Sequence, residues 1–284
     1  RQLARSHYEN FTVASWLLPH SLRPHFYNVY AYCRWADDLA DETRDPGRSL
    51  TLLDWWENEL QACYAGRPHH PVFVALEETI HEFSIPIEPF QSLLVAFRQD
   101  QHVHEYATFE ALLDYCCHSA NPVGRLVLYL GRCHDEPRGA LADRVCTGLQ
   151  LANFWQDVAR DYDRGRVYLP RSTREQFGYD DAMLAQRTYN DAFRRAMAFE
   201  VTRADGYLRS GLPLVEQVPR RVGADVWLFV QGGLKIMAEV RRLDYDVWTR
   251  RPVVTRGQQL GLLCRWLWRA VAWDGTHVRD RSRD

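Results

Sequence analysis

Residues 153–163 read NFWQDVARDYD, and this stretch decides the class of fold. Large apolar residues recur at helical spacing, and no Gly or Pro interrupts the chain before Gly165, so the segment predicts a helix. Within it, Asn153, Asp157 and Asp161 recur every four residues, and each step of four turns a helix by about 40°. One amide and two carboxylates therefore share a stripe. Like charges at this spacing cost helix stability, so the stripe predicts a neutralising partner.

A second acidic segment, YAYCRWADDLADE, begins at Tyr30. On a helix, Tyr30, Arg34 and Asp38 share one face, while Asp37 lies four residues before Asp41, so three carboxylates cluster. A single cluster of this kind is usually a solvated surface. Two clusters set among aromatic residues favour Mg²⁺, which takes oxygen ligands and whose remaining ligands are often phosphate oxygens. The two helices are therefore expected to face each other across a cavity and to hold a diphosphate.

Composition narrows the class of protein further. The 284 residues are 46% hydrophobic and carry a net charge of −2, which suits one large core and argues against a nucleic-acid partner. The seven cysteines show no zinc-binding spacing, which predicts a reducing compartment. No secretory leader and no run of about 18 apolar residues occurs, so a cytoplasmic location is expected.

Strand patterns are nearly absent, and the fold class expected is all-α. Apolar residues recur at intervals of three and four between Gly and Pro breaks, with neither repeats nor a linker, so residues 1–284 are expected to form a single domain. The predicted helices lie near 5–17, 22–42, 48–65, 71–84, 87–101, 108–118, 122–133, 137–163, 180–210, 221–249 and 255–272.

Taken together, the segments DDLAD and NFWQDVARD resemble the squalene/phytoene synthase family of head-to-head isoprenoid synthases. The resemblance covers the chain from His7 to about Arg251, and the paired motif is far more specific than either half. It implies a helical isoprenoid-synthase bundle around a deep central cavity, Mg²⁺ as cofactor and an isoprenoid diphosphate as substrate.

The resemblance also implies roles for individual residues. Asp37, Asp41, Asp157 and Asp161 would be the metal ligands, and Arg34 and Tyr245 would donate to the diphosphate. The remaining substrate-binding positions that it implies are Tyr30, Asp38, Gln150, Asn153, Phe11, Phe154, Arg166 and Tyr168. Phe11 and Phe154 are candidates to face a carbocation, although ordinary core packing is the competing interpretation.

Two departures from the condensing members of the family point to one branch. In HYENF, Glu9 and Asn10 stand where those members carry Lys and Ser; in CHSANPVG, His118 and Asn121 stand at a Tyr and a Gly position. The chain thus resembles the bacterial hydroxysqualene synthases of hopanoid-type squalene pathways. These ionise presqualene diphosphate, rearrange the cation and let water capture it. His118, Asn121 and Asn153 are candidates to hold that water.

Two other functions stay open at this point. A condensing synthase would make presqualene diphosphate, squalene or phytoene from allylic diphosphates, and a non-catalytic assembly factor would share the fold alone. The amphipathic segment RWLWRAVAW, residues 265–273, fits either packing on the bundle or peripheral contact with the inner face of the membrane. Functional coupling to other squalene-pathway enzymes is a further expectation.

Overall fold

A computed structural model describes residues 20–41, 43, 45–255, 257–258, 261–262 and 265–266. Over these residues the chain is helical, and the only β-type pairing is an isolated bridge between Glu105 and Val167. The helices are α1 (Arg23–Asp41), α2 (Pro46–Tyr64), α3 (Pro71–Phe83), α4 (Glu88–Gln99), α5 (Phe109–Ser119), α6 (Asn121–Leu130), α7 (Glu136–Asp163), α8 (Arg171–Phe177), α9 (Asp181–Ala185), α10 (Asp191–Ser210), α11 (Leu214–Gln217) and α12 (Arg220–Arg242). The all-α prediction is confirmed.

The centre of the bundle is α7, which packs against α6, α10 and α12. Its Trp155 is fully buried with Phe193 of α10 and Met237 of α12, in the largest apolar core. A second core joins α1–α4 around the stacked rings of Tyr32 and Trp56, whose centroids lie 5.8 Å apart. The apolar residues of α1 and α7 pack in these two cores. The packing fixes the positions of both helices and therefore of the acidic segments that they carry.

Within α7, Asp157 departs from helical geometry, with φ −110° and ψ 17°. The sequence predicts a straight stripe through Asn153, Asp157 and Asp161, so this kink is a difference from expectation. At the kink a later part of the chain packs against α7: the Gln156 side chain donates to the Pro252 carbonyl at 2.7 Å. The kink at Asp157 therefore lies directly beside the contact between α7 and the segment after α12.

The predicted helix boundaries between residues 22 and 163 lie within a few residues of the observed ones, whereas the two longest predicted helices differ from the structure. The helix expected over 180–210 is divided into α9 and α10, because Asn190 leaves the helical region and its side chain accepts from the Phe193 N–H at 2.9 Å. The helix expected over 221–249 ends at Arg242, since Asp244 and Tyr245 adopt left-handed φ values of 51° and 65°. The short helices α8 and α11 were not predicted.

The predicted helix over 5–17 lies outside the described residues, as does most of the helix over 255–272. Two described residues of the amphipathic C-terminal segment contact the bundle. Trp266 packs against the core of α6, α11 and α12, and the Arg265 guanidinium lies 5.9 Å from the ring centroid of Trp227. Among the described helices, none combines the length and the apolar character that crossing a bilayer requires.

Candidate active site

The first acidic motif (Asp37, Asp38 and Asp41) lies in the last turns of α1. Arg34, one turn earlier, donates to Asp37 Oδ2 at 2.9 Å and also pairs with Asp38. Burial raises the pKa of Asp37, the negative charge of Asp41 raises it further, and Arg34 opposes both effects. Arg34 and the three carboxylates thus form one charged group in which negative charge is in excess.

The second acidic motif (Asp157 and Asp161) lies at the end of α7. Arg251 donates to both Asp157 oxygens, at 2.6 and 3.0 Å, in the forked geometry that arginine forms with carboxylates. Burial, followed by the charge of Asp157, raises the pKa of Asp161 to about 7. Carboxyl groups whose pKa is raised toward 7 by burial and by a neighbouring negative charge are common in functional sites. A bound cation would offset both the loss of hydration and the repulsion between the two carboxylates.

Arg166 lies between the two acidic motifs. It follows α7, yet its guanidinium lies 3.5 Å from Asp41 of α1. Its positive charge also lowers the pKa of Asp37 and of Asp161. The end of α1 and the end of α7 therefore meet at Arg166, and the two acidic motifs share one region of the molecule, as the sequence pattern predicts.

Asp100 is a further carboxylate of this region, and the sequence analysis did not identify it. It follows α4 and accepts a hydrogen bond from the Tyr115 hydroxyl at 3.2 Å. Burial raises its pKa to about 6; Arg166 lowers the pKa, whereas the charges of Asp41 and Asp37 raise it. A lone Asp in RQDQHVH carries no periodic signal, so only the fold could place it beside the other carboxylates.

Aromatic rings pack directly beside these charges. Phe154 of α7 stacks on Tyr168, with centroids 3.8 Å apart and planes at 11°. Tyr115 and Tyr106 complete the cluster, at 6.1 and 5.8 Å from Tyr168. Burial raises the pKa of Tyr168 to about 12, so its phenol stays protonated at neutral pH. Phe154 is thus part of the apolar core, which is the competing interpretation that the sequence left open.

A cavity of about 650 Å³, named here the central cavity, opens beside α7 between α1, α6 and α12. Asn153 and Gln150 line it, one and two turns before Asp157 on α7. Most of the other lining side chains are aliphatic, and Phe26 and Phe229 are its aromatic members among the described residues. A deep cavity was expected, but its wall is more aliphatic than the count of aromatic residues suggested.

His118 and Asn121 lie elsewhere. His118 Nδ1 is 2.9 Å from the Ser92 hydroxyl, and Asn121 is buried, where its side-chain oxygen accepts from Thr147 at 2.9 Å. Neither lines the central cavity. Both side chains bind protein groups outside the cavity. Their position therefore does not support the expected contact with a capturing water. Phe11, Glu9 and Asn10 fall outside the described residues.

Two predicted tyrosines occupy different settings. Tyr30 is half-buried on α1, one turn before Arg34. Tyr245 packs against the core around α7 and adopts a left-handed φ of 65° directly after Asp244, which is also left-handed. From the same segment, Arg251 rather than Tyr245 reaches the second acidic motif. The sequence DYDVWTRRP contains this arginine, but its spacing gave no reason to single it out.

The donor set suits Mg²⁺ in kind. The oxygens of Asp37, Asp41, Asp100, Asp157 and Asp161 gather in one region, and burial raises the pKa of Asp100 to about 6 and that of Asp161 to about 7. Carboxylate oxygens are ligands that Mg²⁺ prefers. Within the part of the chain that the structure describes, no group of three or more His, Cys, Asp or Glu side chains is arranged as a ligand set. Here arginines pair with the carboxylates, so the Mg²⁺ site stays a prediction.

The helical bundle, the acidic motifs on two of its helices and the apolar cavity beside them define an all-α isoprenoid synthase fold. The sequence profile of the squalene/phytoene synthase family matches residues 4–258. The chain therefore belongs to the squalene/phytoene synthase family, which confirms the predicted resemblance. Its members are head-to-head isoprenoid synthases that bind isoprenoid diphosphates.

Similar proteins include both squalene-type and phytoene-type synthases. The crystal structure of squalene synthase HpnC from Alicyclobacillus acidocaldarius matches with a TM-score of 0.84 and 46% identity, covering 86% of this chain and 92% of that one. A dehydrosqualene synthase in complex with a ligand matches with a TM-score of 0.82 at 23% identity over 94% and 93% of the two chains, which supports the fold alone. The 15-cis-phytoene synthase of Synechocystis sp. is 29% identical over 96% of this chain and 83% of its own length.

Proposed function

We propose that this protein is a Mg²⁺-dependent hydroxysqualene synthase, which converts presqualene diphosphate to hydroxysqualene by ionisation, cation rearrangement and water capture. The observation that carries the proposal is the meeting of both acidic motifs at Arg166, beside an apolar cavity of about 650 Å³. The 46% identity with squalene synthase HpnC favours a squalene-pathway reaction over a phytoene-forming one.

In this proposal the polar residues bind the diphosphate head of the substrate. Asp37, Asp41, Asp157 and Asp161 would hold Mg²⁺, which when bound neutralises charge on a departing diphosphate as a Lewis acid. Asp100 is added to this set because the charges of Asp41, Asp37 and Arg166 all act on its pKa. Their arginine partners are then released from the carboxylates.

The released arginines would bind the diphosphate itself. Arg34, Arg166 and Arg251 each pair with a motif carboxylate. Guanidinium forms charge-assisted hydrogen bonds to phosphate oxygens as readily as to carboxylates. An exchange of carboxylate for diphosphate would therefore cost little, and it would bring positive charge to the leaving group as the C–O bond breaks.

The apolar part of the substrate would occupy the central cavity. Gln150 and Asn153 mark the end of the cavity nearest the second acidic motif, and aliphatic side chains line the rest. An aliphatic wall suits the hydrocarbon chains of such a substrate, because it offers a carbocation no nucleophile. The rings of Phe26 and Phe229 could stabilise positive charge by about 0.5–2 kcal/mol each if the cation approaches their faces.

The deciding experiment gives the purified protein presqualene diphosphate with Mg²⁺, in the presence and absence of NADPH, and identifies the C30 products by mass spectrometry. Hydroxysqualene in both reactions supports the proposal. Squalene that forms only with NADPH would replace it with a reductive synthase. Removal of Mg²⁺ by EDTA is expected to stop diphosphate release, and its return should restore it.

A condensing synthase is the second candidate, because phytoene synthases are 28% and 29% identical to this chain over most of its length. Farnesyl diphosphate or geranylgeranyl diphosphate, supplied alone with Mg²⁺, separates the two functions. Consumption of either allylic diphosphate with formation of a C30 or C40 product would establish condensation. We expect both compounds to remain unchanged. Peripheral membrane contact and coupling to other squalene-pathway enzymes remain parts of the proposal, and the same product assays on membrane fractions would test them.

A further inference from the structure

One carboxylate lies in the wall of the central cavity, away from both acidic motifs. Asp225 is in the second turn of α12, and it lines the cavity together with Val222, Val226 and Phe229 of the same helix. Among the described residues it has no hydrogen-bond or ion-pair partner. Asp225 is half-buried, and a carboxylate shielded from water without a partner is costly, so its presence in a mostly aliphatic wall calls for an explanation.

The charged surroundings do not explain Asp225 either. The other ionisable groups that line the cavity are Arg132 after α6, Cys146 on α7, and Arg220 and Arg221 at the start of α12. None of them perturbs the pKa of Asp225, which burial alone raises to about 7. Within the part of the chain that the structure describes, no group is therefore paired with this carboxyl group, whose pKa lies near neutral pH.

The proposed reaction supplies such a partner. Capture of a carbocation by water forms one C–O bond and leaves an oxonium ion, whose O–H bond must then break to give the neutral alcohol. A proton acceptor is needed near the hydrocarbon part of the substrate, and its pKa should lie near the working pH. Asn153 and Gln150 open into the same cavity, but amide groups are not bases at neutral pH.

We propose that Asp225 is the catalytic base of this step: its carboxylate holds the capturing water in the central cavity and accepts the proton that the water loses. The proposal rests on the proposed function and names the group that performs its last step. The electron pair of the water forms the new C–O bond, the proton passes to Asp225 Oδ, and exchange with solvent returns it after product release.

The test compares product distributions of Asp225→Asn, Asp225→Leu and the unchanged protein, supplied with presqualene diphosphate and Mg²⁺. In Asp225→Leu the share of C30 alcohol among all products should fall at least tenfold, with hydrocarbons formed by proton loss from carbon in its place. Asp225→Asn can still bind water but cannot accept a proton, so its alcohol share should lie between the two. Asp114→Asn, an exposed Asp of α5, is the matched control and should keep the full share.

The pH dependence of the same ratio provides a second readout. In the unchanged protein the alcohol share should rise as pH passes through about 7, because Asp225 is then deprotonated. In Asp225→Asn it should be flat. Equal alcohol shares and equal pH profiles in all variants would overturn the assignment of Asp225. If the unchanged protein releases no diphosphate from presqualene diphosphate, the proposed function is wrong. The assignment of Asp225 as catalytic base is then wrong as well.

Discussion

At the scale of single residues, two neighbouring arginines in DYDVWTRRP have different surroundings. Both are exposed, but Arg251 forms a forked pair with Asp157, at 2.6 and 3.0 Å, whereas Arg250 has no ion pair among the described residues. Both arginines follow α12, where the left-handed Asp244 and Tyr245 turn the chain back toward α7. A shift of one residue along the chain therefore separates the arginine that pairs with the second acidic motif from one that does not, which sequence spacing could not reveal.

Arg251→Gln is expected to lower kcat/KM for the diphosphate substrate by about ten- to a hundredfold, since a hydrogen bond to a charged group contributes about 1.5–3 kcal/mol. Arg250→Gln is the matched control and should change kcat/KM less than twofold. Initial rates of diphosphate release at saturating Mg²⁺ measure both. Equal losses in the two variants would show that net charge, rather than the forked contact, is responsible.

At the scale of helices, the position of α7 depends on close approaches at glycine. A Cβ atom built on Gly148 would lie 2.8 Å from both the Leu208 backbone nitrogen and its Cγ, so α7 and α10 are in contact there without room for a methyl group. Glycine thus lets α10 pack tightly on α7, two turns before the acidic motif. The contact fixes the helix that carries Asn153 and Asp157.

Gly148→Ala is expected to destabilise the protein by about 1–3 kcal/mol, because backbone and side chain of α10 must move to admit the methyl group. Gly206→Ala, on α10, is the matched control: nothing lies within 4 Å of its Cβ position. That substitution should be neutral or stabilise by about 0.4–1 kcal/mol, through the lower entropy of the unfolded chain. Urea unfolding followed by circular dichroism measures both, and a stable Gly148→Ala protein would contradict the packing argument.

At the scale of the whole molecule, three acids hold their protons unusually tightly. Burial raises the pKa to about 6 for Asp100 and to about 7 for Asp161 and Asp225, against 3.8 in the unfolded chain. Between these values the folded state binds more protons than the unfolded state, so the free energy of unfolding falls as pH rises from about 4 to 7. The folded protein is therefore less stable at neutral pH, where these buried carboxyl groups must lose their protons, than it is near pH 4 to 5.

The metal-free protein should therefore melt at a lower temperature at pH 7.5 than at pH 5.5, and Asp161→Asn should reduce this difference. Mg²⁺ with inorganic pyrophosphate should raise the melting temperature more at pH 7.5, because metal ligation competes with protonation. Differential scanning calorimetry of both proteins at the two pH values provides the measurement. A larger Mg²⁺ effect at pH 5.5 would contradict a carboxylate site.

Much of the fold and part of the site could be predicted from the sequence. The spacing of apolar residues predicted the long helices, and the carboxylates of DDLAD and NFWQDVARD predicted that α1 and α7 meet, because both patterns are local in the chain. Short-range geometry was less accessible: the kink at Asp157, the end of α12 at Arg242 and the division before α10 each depend on backbone angles that several residue types can adopt.

The sequence by itself determined an all-α chain, its family and the acidic residues of two helices, since periodicity and charge spacing are properties of neighbouring residues. Only the tertiary structure decided that Asp100, Arg166 and Arg251 join those acids, that His118 lies against Ser92, and that Asp225 lies in the cavity wall. The physical reason is distance along the chain. Arg166 and Asp41 are 125 residues apart and Arg251 and Asp157 are 94 apart, so each contact exists only once the bundle has packed.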